Sequence, residues 1–201
     1  SGQVVLKYLT KVGSETALLT SPNSTLTTQT YTASTEQPST SSTSSKAFDG
    51  QLTGQDSNTW KSSTGTYSSG DYQGSEVTQG YSGEWIQVNM GNPTVTGIST
   101  KVKSVTIKPQ QNTATSIIDT HPSNFKLFAS NDASSWSEIA SITDLSRDTW
   151  YSSSFNNYTV TLSSPEQYQY WRLVVSKIVD GSQVSIGELD FNGSIVTNNA
   201  F

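Results

Sequence analysis

The sequence contains no cysteine, so disulfides, thiolate nucleophiles and sulfur-ligated metal sites are all excluded. Charged residues make up only 13% of the 201 residues, and the formal net charge is −5. An acidic chain without a basic stripe is poorly suited to phosphate groups, so neither nucleic acid nor anionic lipid is an expected ligand. The chain also lacks an apolar run long enough to cross a bilayer, and no membrane insertion is expected.

Histidine is nearly absent as well, with His121 the single example. Ser–His or Cys–His nucleophilic catalysis would have to converge on this residue, and no nucleophile-elbow motif accompanies it. Carboxylates such as Asp119, Asp132 and Asp148 stand in turn-like contexts, where acidic residues favour solvation. The sequence therefore predicts that the protein is not an enzyme.

Ser, Thr, Asn, Gln and Gly fill most of what remains, which suits strands and loops better than helical bundles. Residues 1–30 form a Ser/Thr-rich N-terminal entry segment. The stretch from Leu18 to Ser45 is almost wholly Ser, Thr, Gln and Pro with isolated apolar residues, so it has little apolar surface to bury. Residues 31–193 carry the apolar patterning, and residues 194–201 form a C-terminal tail. This division predicts one domain with a loosely structured beginning.

Short runs with a period of two recur between residues 31 and 193. In the clearest, Ile86, Val88 and Met90 share one face and Gln87 and Asn89 the other, as in a half-buried strand. The same period joins Val105 with Ile107, Phe125 with Leu127, Val160 with Leu162, and Trp171 with Leu173. Several such strands separated by polar turns predict an all-β sandwich or barrel. Residues 61–84 interleave glycines and tyrosines, and predict a long ordered loop.

An ordered series of motifs lies along these strands. They are Lys46-Ala47-Phe48-Asp49-Gly50, Asn58-Thr59-Trp60, the run from Glu84 to Gly91, the run from Phe125 to Asp132, Tyr170-Trp171-Arg172-Leu173-Val174-Val175, and Ile186-Gly187-Glu188-Leu189-Asp190-Phe191. The series resembles the discoidin or coagulation factor V/VIII type C family. That resemblance implies a galactose-binding domain-like, jelly-roll β-sandwich. The family's carbohydrate-binding members hold their ligand in loops at one end.

A narrower likeness is to the discoidin-like proteins of large algal DNA viruses. It rests on Leu19-Thr20-Ser21, the Thr-rich run before Tyr31, the Tyr/Gly loop before Trp85, and Ser185-Ile186-Gly187-Glu188. This likeness implies display on a virion.

The family resemblance also implies a structural Ca²⁺ ion beside the Asp-Gly turn. The matching metal ligands are Asp49, Asn58, Thr59 and Glu188. Such an ion would tie this turn to the last strand, and hard cations prefer clustered oxygens. The chain departs from the family pattern because position 58 is an amide and the segment 51–57 is longer than usual. In the alternative interpretation, Asp49 caps a turn with Gly50 at positive φ, and Glu188 is a strand-edge carboxylate.

Sugar recognition requires an aromatic face together with planar polar groups for the hydroxyls. Loop position selects the candidate ligand-binding residues Trp150, Tyr151, His121, Arg147 and Tyr72. For Trp150 the alternative interpretation is a core aromatic. Core packing is predicted for the other tryptophans, Trp60, Trp85, Trp136 and Trp171.

The sequence thus predicts a non-catalytic, lectin-like module that binds cell-surface or cell-wall glycans. Its expected location is extracellular, on a cell surface or on a virion, where many copies would strengthen weak single sites. The alternative is a structural protein that decorates a capsid or matrix through protein contacts. The hydroxyl-rich surface and the apolar tail residues Ile195, Val196 and Phe201 favour that alternative.

Overall fold

Two antiparallel sheets contain most of the regular structure. The structure is a computed structural model, and it describes residues 11–12, 17–20, 28–38, 42–52, 56–92 and 97–197. Alternating sequences become strands here because one face of each strand meets apolar side chains of the opposite sheet. The predicted all-β sandwich is confirmed.

In chain order the strands are β1 (Lys11–Val12), β2 (Ala17–Leu18), β3 (Thr30–Ala33), β4 (Trp60–Lys61), β5 (Tyr67–Ser68), β6 (Asp71–Tyr72), β7 (Val77–Thr78), β8 (Tyr81–Ser82), β9 (Glu84–Asn89), β10 (Ile98–Lys108), β11 (Pro122–Ser130), β12 (Ser137–Ile142), β13 (Tyr158–Glu166), β14 (Tyr170–Ile178), β15 (Ser185–Ile186) and β16 (Glu188–Thr197). Among the described residues, helical structure is limited to single turns. These are the 3₁₀ turns Ser44–Phe48 and Asp56–Asn58 and the α-helices α1 (Thr115–Ile118) and α2 (Arg147–Trp150).

The first sheet has five strands in the order β1-β16-β10-β13, with β2 also paired to β16. The register of β10 shifts between Val102 and Ser104 against both neighbours, as at a β-bulge. The second sheet has seven strands, in the order β12-β11-β14-β6-β5, with β9 beside β14 and β3 beside β9. Two small pairs, β4 with β15 and β7 with β8, complete the sheets.

The core lies between the two sheets and consists of the inward residues of the predicted strands. Its fully buried members include Ile86, Val105, Ile107, Phe125, Leu127, Leu173, Leu189 and Phe191. Trp171 contacts Phe191 of the opposite sheet edge-on, with ring centroids 5.8 Å apart. Trp60 and Trp171 are both fully buried, as predicted. Each such side chain stabilises the fold by about 1.5–3 kcal/mol through apolar burial.

Trp85 and Trp136 also pack against apolar side chains, but in a different cluster: Trp136 is buried and Trp85 is half-buried. Both belong to a second cluster on the outer face of the seven-stranded sheet, with Phe128 and Val174. The physical reason for Trp85 is alternation along β9: its neighbour Ile86 points inward, so Trp85 points outward.

Residues 61–84 are more regular than the predicted loop. Strands β5 and β6 form one hairpin and β7 and β8 a second. Their two-residue connections, Ser69-Gly70 and Gln79-Gly80, all have positive φ, between 48° and 84°. Such turns match the twist of two antiparallel strands. The prediction of a loop was wrong in this respect, because two-residue strands are too short to show an alternating pattern.

The five-stranded sheet begins before residue 31 and continues past residue 193. Lys11 pairs with Thr197, and Leu18 pairs with Asn192. Leu19 is fully buried and its N–H donates to the carbonyl of Phe191. The tail residues Ile195 and Val196 therefore belong to β16 and pair with β10, and Phe201 lies outside the described residues.

Within the described ranges, no helix is long and apolar enough to span a membrane.

Candidate functional site

Most of the long connections meet at one end of the sandwich. β10 ends at Lys108, β11 begins at Pro122, β14 ends at Ile178 and β16 begins at Glu188. The register of these antiparallel strands brings their ends together. We call this the loop end, formed by residues 34–38, 42–52, 62–66, 109–121, 143–157 and 179–187.

A polar cleft of about 430 Å³ opens at the loop end. It is lined by two carboxylates, two amides and three hydroxyls, from Asp119, Asp180, Gln37, Gln183, Thr64, Thr120 and Ser182. Its volume falls within the usual range for small-molecule sites. Amides and hydroxyls donate and accept hydrogen bonds, and carboxylates accept them, so the lining suits a ligand with many hydroxyl groups.

Backbone hydrogen bonds fix the walls of the cleft. The N–H of Asp180 donates to the carbonyl of Asp119 at 2.8 Å, and the N–H of Gly65 donates to the carbonyl of Ser182 at 2.9 Å. Gly181 has a φ of 107°, a conformation that L side chains rarely adopt. Three separate connections are therefore joined, and the cleft is formed before any ligand arrives.

Arg147, a predicted ligand-binding residue, lies at the rim of this cleft. Its Nε donates to Oδ1 of Asp119 at 2.8 Å, and its Nη2 donates to Oδ2 of the same carboxylate. This two-point contact raises the pKa of the guanidinium, so the group stays charged. Asp119 is mostly buried, and the pair fixes the orientation of one cleft wall.

Tyr151, another predicted ligand-binding residue, follows α2 and reaches the surface of the loop end. It forms a β-bridge with Phe155, and the two rings lie 4.9 Å apart. Both side chains are half-buried, and Ser152, Ser153 and Ser154 between them are exposed. The N–H of Tyr151 donates to the carbonyl of Arg147 at 2.9 Å, which connects this aromatic pair to the cleft rim.

Trp150 and His121 are placed differently from the prediction of sugar contact. Trp150 is fully buried and its indole N–H donates to the carbonyl of Pro122 at 2.9 Å. The alternative interpretation of a core aromatic therefore fits its place. His121 is also fully buried. Neither ring is accessible to a sugar in this structure, because each lies beneath the loops that form the loop end.

Tyr72 lies in the β5–β6 hairpin and does not line the cleft. Its hydroxyl accepts the N–H of Glu76 at 3.0 Å, and its ring contacts Tyr67 with centroids 5.5 Å apart. Burial raises the pKa of Tyr72 to about 12. The hydroxyl therefore stays protonated, and its contact is with the backbone that follows the hairpin.

Asp49 and Glu188, two of the predicted metal ligands, lie together. The N–H of Gln51 lies 2.9 Å from Oδ1 of Asp49 and 3.0 Å from Oε1 of Glu188, so it is shared between the two carboxylates. Gly50 has a φ of 73°, so the turn expected in the alternative interpretation is present. Glu188 is buried, and this burial, with the negative charges of Asp190 and Asp49, raises the pKa of Glu188 to about 8.

The predicted ligand set fits a hard cation in its chemistry. Oε2 of Glu188 is buried and finds no hydrogen-bond partner among the described residues. The pairing of Trp60 with Ile186 brings the buried Thr59 level with Gly187, the residue before Glu188. The described part of the chain contains no group of three His, Cys, Asp or Glu residues that could bind a metal alone. Ca²⁺ would therefore need Thr59, Asn58 or carbonyl oxygens to reach six to eight ligands.

The sequence did not reveal most of the cleft. Gln37, Thr64 and Gln183 come from three distant connections, and nothing in the local sequence marks them. In the sequence, Asp180-Gly181-Ser182 carries only the signal of a turn. The structure adds that Gly181 has positive φ, so the chain is tightly constrained there.

Comparison by sequence found no matching protein-family model and no matching curated protein. Comparison of folds found many similar solved structures. One is the family 32 carbohydrate-binding module from C. perfringens NanJ, in complex with galactose. It has a TM-score of 0.56 and 20% identity, and the match covers 82% of this chain and 93% of that one.

Two further structures agree with this match. The chitosan-binding module 1 of the chitosanase/glucanase from Paenibacillus sp. IK-5 has a TM-score of 0.56 and 18% identity, with 84% and 98% of the two chains covered. The lectin-binding domain of lectinolysin in complex with Lewis b has a TM-score of 0.53 and 13% identity, with 87% and 98% covered. The chain therefore has the β-sandwich fold of these carbohydrate-binding modules and lectins.

Proposed function

We propose that this protein is a non-catalytic carbohydrate-binding module whose ligand occupies the cleft at the loop end. The observation that carries the proposal is the preformed polar cleft of about 430 Å³. Its fold neighbours include modules solved with galactose and with Lewis b, which supports a glycan as the ligand class. The site lies where loops converge on a rigid sandwich, a usual place for binding.

The chemistry of the cleft supports a saccharide in detail. Thr64 Oγ1 donates to Gln183 Oε1 at 2.9 Å, which presents the Gln183 amide at a fixed orientation. Arg147 and Asp119 form the planar pair at the rim. Tyr151 and Phe155 add a pair of half-buried aromatic rings next to Arg147 in the chain, and an aromatic ring can stack on the apolar face of a pyranose.

Biological setting is part of the proposal. The protein would act outside cells, on a cell surface or a virion, and recognise cell-surface or cell-wall glycans. A single open cleft gives modest affinity, and many copies on one assembly would raise the effective affinity by orders of magnitude.

A structural Ca²⁺ ion bound by Asp49 and Glu188 is a second part of the proposal. The buried Glu188 oxygen and the nearby Thr59 support it. The ion would supply positive charge to a carboxylate that is otherwise buried beside two other acids. Its role would be to stabilise the loop end and not to take part in a reaction.

The test is binding of the purified chain to a broad glycan and cell-wall polysaccharide array, in Ca²⁺ and again in EDTA. Three variants accompany it: Gln183→Ala in the cleft, Tyr151→Ala beside it, and Tyr151→Phe as a matched control that keeps the ring. We expect saturable binding that Gln183→Ala and Tyr151→Ala weaken at least fivefold, while Tyr151→Phe binds as the unaltered protein does. Thermal unfolding of each variant separates a lost contact from a lost fold.

If the protein binds no glycan on the array, even at high protein concentration, the proposal is overturned and the capsid or matrix decoration role is favoured. Binding that survives both alanine substitutions would place the ligand away from the cleft.

A further inference from the structure

The charge at the cleft is unbalanced. Asp119 engages the Arg147 guanidinium with both of its oxygens, so that pair presents no net charge to a ligand. Asp180 stands on the adjoining wall, is exposed, and forms no ion pair among the described residues. Its Oδ1 accepts the N–H of Gly181 at 2.7 Å, which holds the carboxylate beside the cleft. The wall that adjoins the ion pair therefore carries the negative charge of Asp180.

A third carboxylate adds to this field. Asp148 follows Arg147 in α2, and both Asp148 and Asp180 act electrostatically on the Arg147 guanidinium. One cation at the rim is thus surrounded by three carboxylates. The remaining lining groups are neutral amides and hydroxyls, and the whole chain carries a net charge of −5. A concave site with this balance concentrates negative potential.

We infer that the cleft selects glycans that carry protonated amino groups, such as oligomers of glucosamine, over their acetylated and acidic counterparts. The inference rests on the proposed function, since it names the ligand class of the same cleft. An ammonium group has three donors and no acceptor, so it matches the Asp180 carboxylate. Uronic acids and sulfated sugars would bring a second negative charge to Asp180 and Asp148, and like charges oppose binding.

The expected gain in affinity is modest because Asp180 is exposed to solvent. An ammonium–carboxylate pair open to solvent changes a dissociation constant by roughly two- to fivefold. The nearby negative charge of Asp148 increases this factor at low ionic strength. Salt then weakens it, because the screening length shrinks to about 8 Å near 0.15 M. The selectivity should therefore be salt-sensitive, unlike hydrogen bonds between sugar hydroxyls and the neutral amides.

The experiment compares three oligosaccharides of equal length: a glucosamine oligomer, its fully N-acetylated form, and a uronic acid oligomer. Calorimetric titration below neutral pH, at low and at high salt, gives a dissociation constant for each. The test variant is Asp180→Asn, which keeps the shape and removes the charge. The matched control is Glu166→Gln, which removes the same charge at the opposite end of β13 from the cleft.

We expect the glucosamine oligomer to bind at least fivefold more tightly than the acetylated oligomer at low salt, and the uronic acid oligomer to bind weakest. Asp180→Asn should bring the first two within twofold of each other, whereas Glu166→Gln should preserve the difference. Equal affinities in the unaltered protein would overturn the inference and leave the proposed function standing. An equal loss in both variants would also overturn it, by showing non-specific attraction to an acidic chain. If the protein binds none of the three oligomers and no glycan on the wider array, the proposed function is overturned as well.

Discussion

The imidazole of His121 stacks on the indole of Trp150, with ring centroids 5.7 Å apart and planes inclined by 29°. Nε2 of His121 accepts the backbone N–H of Gln110 at 3.0 Å. Because Nε2 is an acceptor, the proton is on Nδ1, which donates to the carbonyl of Ile118 at 2.7 Å. The single histidine therefore joins α1 to the end of β10 beneath the loop end and has no atom left for a sugar.

This arrangement predicts a loss of stability in acid. Burial lowers the pKa of His121 to about 4 from its ordinary value of 6.5, and protonation would remove the acceptor for Gln110. The unfolded chain takes up this proton first as the pH falls. The stabilisation from neutral His121 is therefore complete above about pH 6.5 and is lost between that value and about pH 4. Urea denaturation across this range, compared with His121→Gln, should show a pH slope that the variant lacks.

For Glu188 we expect the opposite dependence of stability on pH when no cation is bound. Its pKa is raised to about 8 from an ordinary 4.5, so the folded protein retains a proton that the unfolded chain has lost. Stability from this group is present below about pH 4.5 and is lost as the pH rises to about 8. In EDTA at the upper end of this range, Glu188→Gln should be more stable than the unaltered protein by about 1–3 kcal/mol.

With Ca²⁺ bound at the proposed site, the unaltered protein should become more stable than Glu188→Gln. Ca²⁺ should raise the unfolding temperature of the unaltered protein and leave that of Glu188→Gln unchanged, because a ligand stabilises only the fold that binds it. An equal response of both proteins to Ca²⁺ and EDTA would argue against a cation at Asp49 and Glu188.

Arg172 is expected to stabilise the outer face of the seven-stranded sheet. Its guanidinium carbon lies 3.9 Å from the centroid of Trp85 and 4.2 Å from that of Trp136. Its Nη1 donates to Thr78 Oγ1 at 2.9 Å and its Nε and Nη2 donate to Gln87. Arg172→Lys keeps the charge but loses the planar stacking and the fork of donors, and should cost about 1–3 kcal/mol in urea denaturation.

A control for that result is Lys101→Gln, since Lys101 is exposed on the other sheet. Its effect should stay within about 0.5 kcal/mol. A similar small effect for Arg172→Lys would show that the β7–β8 hairpin does not depend on this contact.

We expect substitutions of Trp150 and of its neighbour Tyr151 to differ in their effect on stability. Trp150→Phe removes the donor to the carbonyl of Pro122 and leaves that buried acceptor unpaired, which should cost about 1–3 kcal/mol of unfolding free energy. Tyr151→Phe removes a half-buried hydroxyl and should change stability by less than about 0.5 kcal/mol. The two values come from chemical denaturation followed by circular dichroism. Comparable losses in both would contradict the roles assigned to these rings.

The candidate site was predictable only in part. Loop position correctly brought Arg147 and Tyr151 to the loop end, because a predicted loop between strands must lie at the surface. The same criterion failed to separate them from His121 and Trp150, which occupy the same connections but point inward. Composition cannot tell these cases apart, because the direction of a loop side chain depends on which other loops cover it.

The positions of the longer strands were determined by the sequence itself. The period of two from Ile86 to Met90, and in Phe125 with Leu127, is a local property, and apolar burial forces it onto one face of a strand. The absence of cysteine likewise excludes disulfides and thiolate chemistry. Tertiary structure alone decided that Gln37, Thr64, Asp119 and Asp180 share a cleft, and that Glu188 is buried beside Asp49. These residues are separated by 27 to 143 positions along the chain, and only the pairing of distant strands brings them together.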